Sequence, residues 1–132
     1  MTESPIAQKL RLKDDQRALF LHAPEEYRQL LGPAGKGADL VPSSDVEYDF
    51  VQLFVRNGEE LEQCLATALA AVTFDGLLWI CYLKQSSGVK TDLNRDILWK
   101  LMEPTGWRPV SQVALDEVWS AVRFRPEQQV GK

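Results

Sequence analysis

Two hydrophobic patterns alternate along the chain. Nearly unbroken apolar runs occupy residues 17–22 (RALFLH), 48–55 (YDFVQLFV) and 77–83 (LLWICYL), as strands do when a parallel sheet is covered on both faces. The last is the most hydrophobic stretch and predicts the central strand. Elsewhere apolar residues recur three and four apart. Leu61, Cys64, Leu65, Ala68, Leu69 and Val72 form one helical face, with Asn57 as cap and Glu60 completing a capping box three residues on. Asp75-Gly76 then reads as the turn into the central strand. Leu93, Ile97, Leu98, Leu101 and Met102 mark the buried face of a further helix, capped by Thr91 or Asp92 and ended by Pro104 and Gly106.

Shorter elements follow from proline and glycine punctuation. Ser4-Pro5 opens a brief helix ending near Leu10, and Pro24-Glu25-Glu26 opens another carrying Tyr27, Leu30 and Leu31. Gly32-Pro33 stops it, a short strand fits residues 38–41, and residues 42–45 turn. Two closing strands, 108–115 and 118–124, meet at Asp116-Glu117, a connection so short that they must be antiparallel. Strands alternating with helices give an α/β fold with right-handed crossovers. One domain spans residues 1–132, with an N-terminal helix and arm (1–10) and a frayed tail (127–132).

Composition narrows the function. The 132 residues carry a net charge of −4, which disfavours nucleic acid as a partner. Cys64 and Cys81 lie in apolar segments without C-x-x-C spacing, and His22 is the sole histidine, so neither a zinc site nor a disulfide framework is expected. No stretch has signal-peptide or membrane-spanning character, which predicts a soluble cytoplasmic protein without a membrane partner.

The segment YDFVQLFVRNGEELEQCLATALAAVTFDGLLWICYLK is similar to the second half of class I, adenosylmethionine-dependent methyltransferases, and the closing hairpin resembles theirs. The likeness implies a Rossmann-like three-layer sandwich. Its sheet would be mostly parallel and six-stranded, of order 2-1-3-4-6-5, with the last strand inserted antiparallel beside strand 4. From Leu10 to Pro126 the chain also resembles a family of short bacterial proteins catalogued only as a domain of unknown function, which implies the fold and no activity. The chain departs from working methyltransferases where they grip their cofactor. Residues 21–26 (LHAPEE) hold no glycine, and the second strand ends Leu40-Val41-Pro42-Ser43, with Asp45 arriving late for a ribose. The missing glycine fingerprint also argues against dinucleotide and P-loop nucleotide binding. No cofactor is expected.

Ligands of open α/β sheets sit beyond the strand carboxyl ends. There the loop KQSSGVKTD offers Lys84, Ser86, Ser87, Gly88, Lys90 and Thr91 ahead of a helix N-terminus, a chemistry suited to a small anionic ligand. The same side chains also suit a solvated loop that merely caps helix and turn. His22, at the end of the first strand, could hold or move a proton, or be structural. Trp79 and Trp99 fit buried faces, and Trp119 fits either the core or a homodimer contact. These features favour a non-enzymatic binding or regulatory module. Its alternatives are a divergent methyltransferase, transferase or hydrolase using the strand-end crevice, and a structural homodimer.

Overall fold

The structure, a computed structural model, describes residues 9–12, 16–23, 27, 39, 46–84, 88, 91–115 and 117–130. Among the described residues, five strands form one sheet: β1 (Ala18–Leu21), β2 (Tyr48–Phe54), β3 (Val72–Leu83), β4 (Trp107–Ala114) and β5 (Trp119–Pro126), in the order β1-β2-β3-β5-β4. Two helices, α1 (Gly58–Ala71) and α2 (Arg95–Met102), follow β2 and β3. β1–β2 and β2–β3 are parallel, whereas β3–β5 and β4–β5 are antiparallel. Against the expected six-stranded sheet of order 2-1-3-4-6-5, the described residues form a five-stranded mixed sheet whose strands keep that relative order. Of the strand expected at 38–41, Asp39 alone is described; it makes a single parallel bridge to Leu19 on the free side of β1. The hairpin explains the mixture: its tight turn reverses β5 against β4, and β5 then inserts against β3.

Side chains alternate across the sheet, as the two-residue strand period requires. Leu19, Leu53, Leu78, Ile80 and Val122 face α1 and α2, where they bury Leu61, Ala68, Leu98 and Met102. Phe20, Phe50, Phe54, Trp79 and Ala121 face the other way, onto Leu10, Leu12 and Tyr27. Each leucine, isoleucine, valine, phenylalanine or methionine among them contributes about 1.5–3 kcal/mol on burial. Trp79 ties the second layer to the sheet, its indole N–H donating to the Leu10 carbonyl at 3.1 Å. Gln52, fully buried in β2, accepts from the Tyr27 hydroxyl at 3.0 Å and donates to the Cys81 sulfur at 3.2 Å.

Several local expectations change. Asp75-Gly76 lies inside β3 rather than between helix and strand. Tyr48 pairs with Val72 and Phe50 with Leu77, so β3 advances five residues where β2 advances two, and Asp75 takes a left-handed φ of 59° in this bulge. Asn94 caps α2, accepting from the Ile97 N–H at 2.9 Å, in place of Thr91 or Asp92. Ile97, expected on the buried face of this helix, is 38% exposed. The tail expected to fray forms a 3-10 turn at Glu127–Gln129, its first N–H donating to the Gly106 carbonyl at 2.8 Å. Trp119 is core: its ring meets Phe54 edge-on at 5.1 Å, so it does not supply a surface anchor for a second copy. The helical starts at Ser4-Pro5 and Pro24-Glu25-Glu26 lie outside the described residues, as does most of the arm at 1–10.

Candidate functional site

Among the described residues, those that follow β1 and β2 pack on opposite faces of the sheet. Tyr27, the described residue of the segment after β1, packs on the second face, whereas α1, after β2, packs on the first. Neighbouring strands whose connections leave in opposite directions part at their carboxyl ends, where a crevice forms. The residues that follow the two strand ends are His22-Ala23 and Val55-Arg56-Asn57, the latter anchored by the Val55 N–H donating to the Cys81 carbonyl at 3.0 Å. His22 closes β1 with a φ of 63°, the left-handed region that histidine enters more readily than most side-chain-bearing residues. The chain thus turns sharply at the place where glycine was missed.

The exposed His22 ring reaches α1, with Nε2 3.6 Å from the Cys64 sulfur. Only the fold brings them together, because 42 residues separate the two in the chain. The thiol is poorly suited to the part of a nucleophile. Burial, and then the Glu60 carboxylate, push the Cys64 thiol up from its ordinary value, and the thiolate is the nucleophilic form.

Carboxylates crowd the start of α1. The Glu60 N–H donates to Asn57 Oδ1 at 2.8 Å, as the cap predicted. Glu60 Oε1 reaches one residue further than a capping box requires, accepting from the Arg56 N–H at 2.8 Å. Asp92 arrives from the loop after β3 and accepts from the Gly58 N–H at 2.9 Å. Thr91 donates its hydroxyl to the Arg56 carbonyl and accepts from the Leu93 N–H at 3.1 Å. Asn57, Glu59, Thr91 and Asp92 line a cleft of about 630 Å³. Its acidic rim suits hydroxyl or ammonium donors better than anions, because the helix's own N–H groups already face protein oxygens.

Of the loop residues singled out in the sequence, Lys84, Gly88 and Thr91 are described, and Ser86, Ser87 and Lys90 lie outside the described residues. Gly88 is exposed with a φ of 79°. Lys84 follows β3, half-buried, with its backbone N–H on the Val118 carbonyl at 2.8 Å. Thr91 stands at the end of β2, whereas Lys84 borders a different cleft, of about 780 Å³, between the start of α2 and the β4–β5 hairpin. Tyr82, Gln112 and Ser120, which the sequence reading did not select, lie in this second cleft. They are polar tips within strand patterns, and only cross-strand register puts them together.

No protein-family model and no curated protein matches the sequence, so the expected kinship with a short bacterial family stands without support from either. Solved structures do match. A complex of DhpI with SAH aligns over 92% of this chain and 83% of its own, with a TM-score of 0.55 and 16% identity. A Corynebacterium diphtheriae domain ascribed to a precorrin-6Y C5,15-methyltransferase aligns over 90% of this chain and 80% of its own, with a TM-score of 0.45 and 14% identity. The first of these likenesses supports a Rossmann-like α/β fold. Among the described residues, no helix is long and apolar enough to cross a membrane.

Proposed function

We propose that this chain is a divergent methyltransferase-fold enzyme that seats an adenosyl ligand, SAH or adenosylmethionine, in the crevice between β1 and β2. The observation that carries this reading is the left-handed turn at His22, at the point where the crossovers part. In methyltransferases the glycine-rich turn there lets the backbone approach the cofactor. His22 turns the chain at that place without glycine, which supports a turn of the same kind. Ala23, small and half-buried, follows it. The fold's likeness to a protein solved with SAH supports the same choice.

The residues on the opposite wall fit the polar parts of such a ligand. Asp92 engages one carboxylate oxygen with Gly58, and its second oxygen, with the exposed Glu59, is chemically suited to ribose hydroxyls or an amino group. When bound, adenosylmethionine supplies an electrophilic methyl group; the chain's own part is to turn at His22 and present this acidic rim. Hydrolysis through a His22–Cys64 pair is the weaker reading, because the raised thiol disfavours the reactive thiolate.

Calorimetric titration of the full chain with SAH tests the proposal. Saturable heat with a Kd of roughly 10–100 µM is expected, with amide shifts centred on His22, Ala23, Arg56 and Asn57. No heat and no shift at about 1 mM SAH, a ligand concentration that reveals even weak specific binding, would overturn it.

A further inference from the structure

The second cleft lies on the α-helical face of the sheet, away from the β1–β2 crevice, and its floor is polar where the rest of that face is apolar. Register explains the floor. Tyr82 on β3 pairs with Ser120 on β5, and Ser120 with Ala114 on β4, so the three share one face. Gln112 stands two residues along β4 on the same face. Its amide nitrogen donates to the Tyr82 hydroxyl at 3.1 Å and to the Ser120 hydroxyl at 2.9 Å. Both hydroxyl residues are more than nine-tenths buried, Tyr82 being 7% and Ser120 5% exposed.

This arrangement has a directional consequence. A hydroxyl has one proton and two acceptor sites. Each hydroxyl here accepts from the same amide, so each keeps its own proton to donate. Two buried donors are thus oriented by one side chain at the bottom of a cleft of about 780 Å³, within the range of small-molecule sites. Lys84 stands at the lip beside β3, and Arg95 on the wall at the start of α2, with Asp96 the acidic member of the lining.

We infer that this cleft is a binding site for the oxyanion of a small acid, a carboxylate or phosphate, received by the Tyr82 and Ser120 hydroxyls with Arg95 as a counter-charge. An oxyanion is the natural match for two hydroxyl donors that, among the described residues, have no protein acceptor, and the Arg95 guanidinium suits its charge. Small size follows from the cleft's volume. The inference is independent of the adenosyl proposal. It uses other residues, on another part of the sheet, and SAH binding at His22 neither requires nor excludes it.

The test is an amide NMR titration of the full chain with sodium phosphate and, separately, sodium succinate, each against sodium chloride at equal ionic strength. Saturable shifts at Lys84, Asn94, Arg95, Gln112 and Ser120 are expected, with half-saturation at about 1 mM or below. Response to phosphate alone, to succinate alone or to both supports the site and identifies the preferred oxyanion. Tyr82→Phe combined with Ser120→Ala should weaken binding at least tenfold. Arg95→Gln, at an exposed position that does not threaten the fold, should weaken it roughly threefold, with a smaller dependence on salt. Shifts that fail to saturate, that centre on Arg11 and Arg123 instead, or that survive the double substitution and Arg95→Gln unchanged would overturn the inference.

Discussion

Asp75 and Arg125 meet across 50 residues of sequence in a two-pronged ion pair, Nε donating to Oδ1 at 2.9 Å and Nη2 to Oδ2 at 2.8 Å. The pair clamps the bulge at the start of β3 to the end of β5. Arg125's hydrogen bonds, and its charge, hold the Asp75 carboxyl below the usual carboxylate range. A depressed carboxylate stabilises the fold above its unfolded pKa of about 3.9, and that contribution disappears as pH falls through the lower folded value. Asp75→Asn should lower the melting temperature by a few degrees at pH 7. The difference from the parent should shrink as pH falls below about 4 and through the parent's lowered folded value. Circular dichroism melts across that range would show whether the curves converge.

Gly76 follows Asp75 in the bulge and has no room for a side chain. A Cβ there would stand 2.8 Å from Val72 Cγ2 and 3.0 Å from the Thr73 carbonyl oxygen. The methyl could yield, but the carbonyl belongs to the backbone of the bulge itself. Gly76→Ala should cost about 1–3 kcal/mol, seen as a lower urea midpoint. An unchanged midpoint would mean that the bulge relaxes freely.

Gln52 is the buried polar residue that joins β2 to the second layer. Gln52→Ala removes the acceptor of the Tyr27 hydroxyl and the donor to Cys81, and leaves space among Phe54, Trp79 and their neighbours. A loss of roughly 2–3 kcal/mol is expected from the broken bonds and the cavity together. Guanidinium unfolding measures the loss. Hydrogen exchange should show the damage concentrated at Leu10, Leu12 and Tyr27, rather than under α1.

His22 tests whether backbone conformation or side-chain chemistry governs the end of β1. A β-branched residue is strained at φ 63°, so His22→Val should cost about 1–2 kcal/mol. His22→Gly should be nearly neutral, since glycine fits the turn but gains freedom in the unfolded chain. Equal stability of both variants, by thermal and urea unfolding, would show that the turn does not hold the chain in that conformation.

The amino-acid sequence by itself determined the elements that depend on nearby residues. The apolar runs around Phe20, Val51 and Trp79 are strands, the three-and-four spacing from Leu61 onward is α1, and Asn57 caps it, because strand burial, helical periodicity and capping all act within a few residues. Tertiary structure decided whatever depends on pairing between distant segments. It moved the second cap from Thr91 or Asp92 to Asn94 and sent Asp92 to α1, absorbed Asp75-Gly76 into β3, and buried Trp119 against Phe54. It also set the two clefts. His22 meets Cys64, and Gln112 meets Tyr82 and Ser120, only after the sheet takes its register. The missing glycine illustrates the same division: residue identity says which φ is easy, but the sheet and its crossovers force the turn, and histidine can comply.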